Sequence, residues 1–419
     1  MRTVRFGPDA TAAEIRALTP APRDVEAEVR GIVDEVRAGG DAAVKRLTER
    51  FDHAALAPES LLVPLHEIEA ALSALEPDVL RGLKMAAANV RAVAKAGMRE
   101  RPARVELPER QVVEIAEVPV RRAAAYVPGG RAPYPSTVVM CATVAQAAGV
   151  DELAVCAPPG PEGRAHPTIL AACALCDVTE VYRVGGAQAI AALAYGTETI
   201  DPVDVIVGPG NAYVTEAKRQ VNGVVGIDGL AGPSELVVVA TPGAEHGLLA
   251  LDLLAQAEHG EASLVAAISP DPQLLDLIVD EVERLAPERP TVADAPFAAV
   301  LVEDARAAIR LADQIAPEHL ELAGTEAEGL AGDVRSAGCL FVGRDAATAF
   351  GDYVAGSNHV LPTGGAARHA SALSPATFRR RMARVSLPPG AAARLAPHGA
   401  AVARAEGFEV HGESMERRV

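Results

Sequence analysis

From about residue 112 onward, valine-rich runs of strand length alternate with alanine-rich runs of helical length. The candidate strands are 123–127, 152–157, 180–184, 203–207, 235–240, 263–268, 298–302 and 338–342. The candidate helices between most of them are 136–148, 167–176, 187–195, 211–221, 245–258, 271–285 and 304–315. Such alternation predicts an α/β fold with mainly parallel sheets, and this many strands predict two sheets rather than one.

The flanking segments indicate how the chain is divided. Residues 24–100 have a helical pattern that breaks at Gly39-Gly40. A chain of 419 residues is too long for one simple core, so more than one domain is expected. We predict a central domain at about 126–237, inserted into a larger domain built from both flanks. The tail from about residue 373 is rich in Ala, Arg and Pro and is predicted to be an arm.

Composition excludes several classes of partner. The formal net charge of −17 argues against a nucleic-acid backbone or an anionic membrane as the main partner. All five cysteines lie in apolar contexts, which predicts buried reduced thiols in a cytosolic protein. Cys173 and Cys176 have CxxC spacing, but no second CxxC accompanies them, so packing is favoured over zinc binding. No apolar run is long enough to span a bilayer.

Three glycine clusters punctuate the central region. They are Pro128-Gly129-Gly130, Gly185-Gly186-Ala187-Gln188 and Gly208-Pro209-Gly210-Asn211. The last two follow a predicted strand and precede a predicted helix, where backbone amides and a helix N-terminus can receive a phosphate. No GxGxxG follows a predicted strand, so the usual dinucleotide fingerprint is missing. Two such turns in one domain favour nucleotide binding, although either turn alone is weak evidence.

Two further segments carry side chains that bind metals. Gln256 and His259 are three residues apart near a predicted helix end, so they share one face of the helix. Taken alone, a histidine favoured by the helix dipole is the simpler interpretation. Asp352 and His359 are seven residues apart in a glycine-rich segment that ends in proline. That segment is predicted to hold its polar groups on a shaped loop.

Adjacent acid and base side chains occur at a predicted helix–strand junction. Glu318 could activate water there and His319 could accept a proton, although a solvated Glu-His pair is the plainer alternative. His411 lies in the tail and becomes interesting only if the tail reaches a site in its own or a partner subunit. Gln256, His259, Asp352 and His411 would give zinc an amide oxygen, two imidazoles and a carboxylate. Physical reasoning alone does not select the glutamine.

At these residues the sequence resembles the histidinol dehydrogenases, zinc enzymes that complete histidine biosynthesis. The matching segments are Tyr126–Gly130, Ala132–Ser136, Gly185–Ile190, Val207–Asn211, Ala231–Glu235, Gln256–Gly260, Pro317–Leu320 and Gly351–Thr363. They extend over roughly residues 23 to 411. Several matching segments in the same order are far more specific than any one of them.

The resemblance implies a role for each candidate residue. Zinc, one per subunit, would be held by Gln256, His259, Asp352 and His411, with His411 reaching the site from the partner subunit of a homodimer. NAD would contact Tyr126, Gln188 and Asn211. Substrate would contact Ser234, Gln256, His259, His319, Asp352, His359, Glu406 and His411. Glu318 and His319 would be the catalytic pair.

The resemblance also implies a reaction. L-Histidinol would be oxidised by NAD to L-histidinaldehyde, then hydrated and oxidised again to L-histidine. His319 would take the alcohol proton, and Glu318 would activate the water that adds to the aldehyde. The implied enzyme is cytoplasmic and has no nucleic-acid or membrane partner.

The fold implied by the resemblance has two incomplete Rossmann-like parallel-sheet domains, a helical N-terminal segment and an extended C-terminal arm. The expected divisions are an N-terminal arm at 1–22, the first part of a large α/β domain at 23–125, an inserted NAD-binding α/β domain at 126–237, the second part of the large domain at 238–372, and the C-terminal arm at 373–419.

Four other functions are compatible with parts of the sequence. A superfamily relative that oxidises another small polyol, such as a sulfopropanediol, would share the NAD turns and the Glu-His pair. The combination of Asp352, His359, Glu406 and His411 favours histidinol instead. A zinc hydrolase would leave the glycine turns idle. A thiol-dependent aldehyde dehydrogenase needs an exposed nucleophilic cysteine. A non-catalytic binding protein would have little reason to hold Glu318 and His319 together.

Overall fold

The computed structural model describes residues 1–20, 23–54, 61–99, 102–129 and 132–419. The strands in these ranges are β1 (Arg2–Phe6), β2 (Ala103–Glu106), β3 (Val112–Pro119), β4 (Arg122–Tyr126), β5 (Glu152–Ala157), β6 (Glu180–Arg183), β7 (Val205–Val207), β8 (Gly226–Ile227), β9 (Glu235–Ala240), β10 (Leu264–Ser269), β11 (Pro296–Leu301), β12 (His319–Ala323), β13 (Cys339–Val342) and β14 (Arg379–Ser386). All eight candidate strands are present, with ends shifted by only a few residues.

The α-helices in the same ranges are α1 (Ala12–Arg16), α2 (Glu26–Asp52), α3 (Leu65–Ser73), α4 (Pro77–Ala96), α5 (Pro135–Ala148), α6 (Pro167–Leu175), α7 (Gly186–Tyr195), α8 (Ala212–Val221), α9 (His246–Ala257), α10 (Pro272–Leu285), α11 (Ala305–Ile315), α12 (Thr325–Gly329), α13 (Thr348–Tyr353), α14 (Ala391–Ala405) and α15 (Glu409–Glu416). As predicted, the helical pattern breaks at Gly40, whose φ of 53° interrupts α2. No helix of the described residues is long and apolar enough to cross a membrane.

Two parallel sheets form the α/β body, which confirms the predicted fold class. The six-stranded sheet has the order β1-β11-β10-β9-β12-β13, and all of its strand pairs are parallel. The five-stranded sheet has the order β6-β5-β4-β7-β8 and is also parallel. Because its strand order reverses between β4 and β7, the crevice at their carboxyl ends is the place where such folds bind ligands.

A third sheet joins the C-terminal tail to the middle of the chain. It has the order β14-β3-β2, and both of its strand pairs are antiparallel. Beyond β14, helices α14 and α15 pack on each other through small side chains such as Ala396, Ala400 and Ala403. The tail therefore has no sheet of its own, in keeping with the predicted arm.

The N-terminal helices cover the five-stranded sheet. Buried apolar residues of α2 pack with those of α7 and α8 on one face. Helices α3 and α4 pack with α5 and α6 on the other face. From the N-terminal part of the chain, the strand β1 joins the six-stranded sheet and Ile15 of α1 packs against it. The predicted domain boundaries remain predictions, and residue 22, at the first of them, lies outside the described residues.

A buried ion pair fixes the turn after β7. Lys218, on α8, donates to Gly208 O and to Asp228 Oδ1, both at 2.6 Å. Asp228 Oδ2 accepts the Gly208 N–H at 2.6 Å. Gly208 has a φ of 109°, and a Cβ there would lie 2.1 Å from Tyr126 O. Only glycine can therefore bring this turn so close to the end of β4.

Candidate active site

The Glu318–His319 pair lies where α11 gives way to β12. Ala316 ends α11 in a left-handed conformation with φ of 50°, and Pro317 prevents the helix from continuing. His319 is the first residue of β12, and it pairs in register with Leu236 of β9 and with Cys339 of β13. Both side chains are buried. The structure therefore rules out the alternative of a solvated surface pair.

Glu318 is held by the start of β9. Its carboxylate Oε2 accepts the Ser234 hydroxyl at 2.5 Å and the Glu235 N–H at 2.9 Å. Burial raises the pKa of Glu318 to about 7, against the opposing effects of His319 and these two hydrogen bonds. A carboxyl group with a pKa near neutrality can exchange a proton with water at physiological pH.

The ring of His319 is oriented by backbone and carboxylate groups. Its Nδ1 lies 3.0 Å from Glu235 O, an acceptor, so Nδ1 carries a proton and Nε2 faces the site. Nε2 lies 3.5 Å from Asp352 Oδ1, and Nδ1 lies 3.6 Å from Glu318 Oε2. Burial lowers the pKa of His319, but Glu318 and Asp352 outweigh this effect and raise the pKa to about 9.

Glu235 connects both members of the pair, and the sequence analysis missed it. Besides its two backbone contacts with the pair, its carboxylate accepts the Glu318 N–H at 3.2 Å and the Gly364 N–H at 2.9 Å. Arg16 of α1 compensates the buried charge through hydrogen bonds of 2.8 and 3.2 Å. Arg16 and Glu235 are 219 residues apart, so no local pattern reveals this pair.

Three of the four predicted metal ligands lie together in the structure. Gln256 is on the last turn of α9, and the His259 N–H donates to Gln256 O at 3.2 Å in the turn that follows. Asp352 is on α13, which packs against α9. The charge of Asp352 raises the pKa of His259, and the charge of His319 lowers the pKa of both groups.

The chemistry of these three groups suits zinc. Burial lowers the pKa of His259, which leaves the imidazole neutral and able to donate a lone pair. Burial opposes ionisation of Asp352, yet its pKa is lowered because His319, His359 and His259 face it. The amide Nε2 of buried Gln256 has no hydrogen-bond partner. Turning the amide over would place its carbonyl oxygen there as a ligand.

The predicted substrate residues Ser234 and His359 border the same region. Ser234 contacts Glu318, as described above. His359 Nδ1 lies 2.9 Å from Asp352 O, and its Nε2 lies 3.1 Å from Thr137 Oγ1 at the start of α5. Burial lowers the pKa of His359 despite the nearby Asp352. Helix α5 packs on β4 and β5 of the five-stranded sheet. Through Thr137 and Asp352, His359 therefore connects that sheet to the surroundings of the Glu-His pair.

Glu406 and His411 lie apart from the rest of the predicted site. Both are exposed, Glu406 at the end of α14 and His411 on α15. The His411 ring contacts Phe408, with ring centroids 5.1 Å apart. Within the described ranges, no group of three His, Cys, Asp or Glu side chains could hold a metal ion. One chain therefore brings together His259, Asp352 and the Gln256 amide, but not a complete set.

The predicted NAD residues lie at the carboxyl edge of the five-stranded sheet. Tyr126 ends β4, and its hydroxyl accepts the Gly186 N–H at 3.1 Å. Gln188 is buried on α7, and its Nε2 lies 3.5 Å from Asp52 Oδ2. Asn211 caps α8, where its side chain accepts the N–H groups of residues 213 and 214. Gly130, in the first glycine cluster, lies outside the described residues.

A second buried acidic group lies two residues beyond His319 on β12. Glu321 is on the same face of β12 as His319 and shares a hydrogen bond with Asp252 of α9. Burial raises the pKa of both carboxyl groups. A hydrogen bond between two carboxyl groups requires a proton on one of them, so the pair carries less charge than two ionised acids. The sequence analysis missed this pair as well.

The cysteines do not provide a reactive thiol. All five are free, and Cys141, Cys156, Cys173 and Cys176 are buried. Burial raises the pKa of each of the four buried thiols, to about 11 for Cys176. Cys339 is partly buried, and its pKa is also raised by burial. A thiolate nucleophile is therefore disfavoured, in agreement with the sequence analysis.

The fold and the site define an α/β enzyme with a buried Glu–His pair beside an imidazole, a carboxylate and an unpartnered amide. The histidinol dehydrogenase family model matches residues 18–419. A histidinol dehydrogenase of Caulobacter vibrioides is 46% identical over 410 residues, covering 95% of this chain and 94% of the relative. One of Synechococcus is 44% identical over 400 residues, covering 94% and 92%.

A solved structure agrees with these sequence relatives. The crystal structure of histidinol dehydrogenase from Elizabethkingia anophelis superposes with a TM-score of 0.92 at 31% identity, covering 100% of this chain and 98% of that one. The chain belongs to the histidinol dehydrogenase family. Membership of this family makes it an oxidoreductase and confirms the resemblance drawn from the motifs.

Removing Glu235 should destabilise the protein strongly. We expect Glu235→Ala to lower the free energy of unfolding by about 3–5 kcal/mol, because it leaves Arg16, the buried Glu318 N–H and the Gly364 N–H without their acceptor. Urea denaturation measures the change. Glu326 of α12 is exposed and provides the control, since Glu326→Ala should stay within about 0.5 kcal/mol. A Glu235→Ala loss as small as that of the control would contradict this role.

Proposed function

We propose that the protein is a zinc- and NAD-dependent histidinol dehydrogenase that converts L-histidinol to L-histidine through L-histidinaldehyde, the last steps of histidine biosynthesis. The observation that carries this proposal is the buried Glu318–His319 pair beside Gln256, His259 and Asp352 in a chain of this family. The reaction removes two hydrides from the substrate, and each is accepted by one NAD+.

The groups that would hold zinc are Gln256, His259 and Asp352, with His411 as the fourth ligand. The unpartnered Gln256 amide and the ionised Asp352 support this assignment. Zinc bound there supplies positive charge that anchors the amine and imidazole nitrogens of the substrate. Ser234, His359 and Glu406 would contact the same substrate, since the first two border the Glu-His pair.

NAD would occupy the crevice at the carboxyl ends of β4 and β7. Tyr126 lies at this edge, and the buried Lys218–Asp228 pair fixes the turn that leads to Asn211. Gly186 lies between Tyr126 and Gln188, since its N–H donates to the Tyr126 hydroxyl and its Cα adjoins the Gln188 amide. Parallel sheets bind nucleotides at such a crevice, where helix N-termini and backbone N–H groups face the ligand.

His319 would act as the base in the first oxidation. Its Nδ1–H is committed to Glu235 O, and a cation beside Asp352 would offset part of the negative charge that raises the pKa of His319, so its Nε2 lone pair could take the proton of the substrate hydroxyl. The fixed ring also removes the need to select one rotamer during the reaction. A positioned base of this kind contributes about 10²–10⁴-fold to a rate.

Glu318 would act between the two oxidations. Its carboxylate can take a proton from the water that adds to the aldehyde, since its pKa of about 7 lets it ionise near neutral pH. The Ser234 hydroxyl and the Glu235 N–H hold the carboxylate in place while it does so. His319 would then take the proton of the hydrate in the second oxidation.

A homodimer with exchanged C-terminal arms would complete the site. Phe350 and Tyr353 of α13 flank Asp352 and are 53% and 58% exposed. Val402, Phe408 and Val410 of the arm are also exposed, at 60%, 54% and 73%. Two such apolar surfaces are complementary, and their burial would bring a partner's arm to the metal-binding groups.

The direct test is NADH formation from purified protein, NAD+ and limiting L-histidinol. We expect two NADH per histidinol, loss of turnover on chelation, and recovery on addition of zinc. Elemental analysis should give about one zinc per subunit, as expected for one closed ligand set. The variant His259→Ala should lose the metal, whereas His246→Ala, on the first turn of the same helix, should retain it.

Absence of turnover by zinc-loaded protein would overturn the histidinol assignment. Small sulfonated diols would then be assayed with NAD+ under the same conditions, because a superfamily relative acting on them would share the Glu-His pair.

Substituting Glu318 should separate the two oxidations. Glu318→Gln keeps an oxygen that can accept from Ser234 and Glu235 but cannot take a proton from water. We expect oxidation of supplied L-histidinaldehyde to fall by about 10²–10⁴-fold, with a smaller effect on the first oxidation in a stopped-flow single turnover. Equal losses in both oxidations would contradict a role confined to hydration.

The pH dependence follows from the same residue. In the wild type, aldehyde oxidation should rise as pH increases through about 7, because Glu318 must be ionised to act as a base. Ser234, Glu235 and His319 are the groups that face it, and all remain in Glu318→Gln. The variant should therefore lose this rise, and a variant that keeps it would assign the ionisation to another group.

Arm exchange makes a prediction about mixed dimers. We expect His259→Ala and His411→Ala each to be inactive alone, since each lacks one ligand in every site. After the two are unfolded and refolded together, half of the dimers are hybrids with one intact site, so about one quarter of wild-type activity should return. No recovery, with hybrids verified by mass spectrometry, would mean that each arm serves its own chain.

A further inference from the structure

Asp52 places an acidic side chain beside the proposed nucleotide crevice. It is the last residue of α2, and the following residue, His53, turns the chain with a φ of 55°. Its Oδ2 accepts a long hydrogen bond of 3.5 Å from Gln188 Nε2. The charge of Asp52 also acts on Tyr126, whose hydroxyl is bonded to Gly186. Asp52 thus lies next to two of the three residues expected to contact NAD.

The Asp52 carboxylate has unused capacity to accept hydrogen bonds. An ionised carboxylate offers about four acceptor positions, and the long contact with Gln188 uses one of them. Burial raises the pKa of Asp52 to about 6, and the charge of the neighbouring His53 opposes this effect. The side chain has therefore lost much of its hydration.

The surroundings specify which ligand groups could satisfy this carboxylate. Gln188 and Tyr126 lie at the carboxyl edge of the five-stranded sheet, near the reversal of strand order between β4 and β7. A ligand in that crevice meets the end of α2 as well, because α2 packs against α7 and α8. Hydroxyl groups donate to a carboxylate, whereas a phosphate adjacent to it is repelled.

We propose that Asp52 accepts hydrogen bonds from the vicinal hydroxyls of the adenosine ribose of NAD and thereby selects NAD over NADP. The inference rests on the proposed NAD-dependent function. The 2′-hydroxyl of NAD donates to the carboxylate, and the 2′-phosphate of NADP both removes that donor and brings negative charge against Asp52. Acidic residues perform this task in other nucleotide-binding α/β folds, where they follow a strand rather than end a helix.

The test is the affinity of the zinc-loaded protein for NADH and NADPH, measured by calorimetry. We expect the wild type to prefer NADH. Asp52→Asn should weaken NADH binding by about tenfold through loss of a charge-assisted hydrogen bond, and should leave NADPH binding equal or tighter. The ratio of the two dissociation constants should therefore shift by at least about tenfold, and the KM for NAD+ should rise more than kcat falls.

Two controls separate this role from structural effects and from failure of the proposed function. Asp34 lies on the same helix and is exposed, so Asp34→Asn should leave both affinities unchanged. Thermal unfolding should show Asp52→Asn to be at least as stable as the wild type, because an uncharged side chain suits the half-buried position. An unchanged NADH-to-NADPH ratio in Asp52→Asn overturns the inference while wild-type turnover keeps the function. A wild type that binds neither nucleotide overturns both.

Discussion

The geometry of the site depends on the compensation of one buried negative charge, that of Glu235. Glu235 opens β9 and contacts Glu318 through its backbone N–H, Glu318 N–H through its carboxylate, and His319 through its carbonyl. A carboxylate at that depth is costly unless charge and hydrogen bonds surround it. Arg16 supplies the charge from the N-terminal arm, so the arm stabilises the geometry of a pair more than 300 residues away.

The same network shifts the pKa of both members of the pair upward, for different reasons. Glu318 is driven toward its protonated form by burial, and His319 is driven toward its protonated form by the acids around it. On the proposed function, a cation beside Asp352 takes up part of the charge that favours the imidazolium. The backbone contact of Nδ1 keeps the ring tautomer the same whether or not the cation is there.

The two parallel sheets contribute to the site from opposite edges, one from the amino ends of its strands and the other from the carboxyl ends. His319 and Glu235 begin their strands, so the Glu-His pair lies at the amino edge of the six-stranded sheet. Tyr126 ends its strand, so the nucleotide crevice lies at the carboxyl edge of the five-stranded sheet. The segment around His359 joins them, because Asn358 donates to Met140 O of α5 and Val354 O accepts from Asn89 of α4. One loop thus positions chemistry from one sheet against a crevice of the other.

Sequence patterns predicted the parallel sheets well because their buried strands are continuous apolar runs between turn residues. They did not predict β14 pairing with β3, since that antiparallel sheet is largely exposed and its strands are more than 250 residues apart. The residue types of Glu318, His319 and Asp352 made them candidates from the sequence, whereas Gln256 was implied only by the family resemblance. The sequence analysis missed Glu235, Lys218 and Asp52, because the role of each comes from distant contacts and not from its neighbours in sequence.

His411 is the one proposed zinc ligand that lies apart from the other three within a single chain. On the proposed function, His259, Asp352 and Gln256 would provide two ionisable ligands and one neutral amide, and the unpartnered amide nitrogen of buried Gln256 is unfavourable unless something else binds there. Exposed apolar side chains flank both this place and the helix that carries His411. Covering those surfaces and completing the ligand set would be one event, so metal binding and dimerisation would stabilise each other.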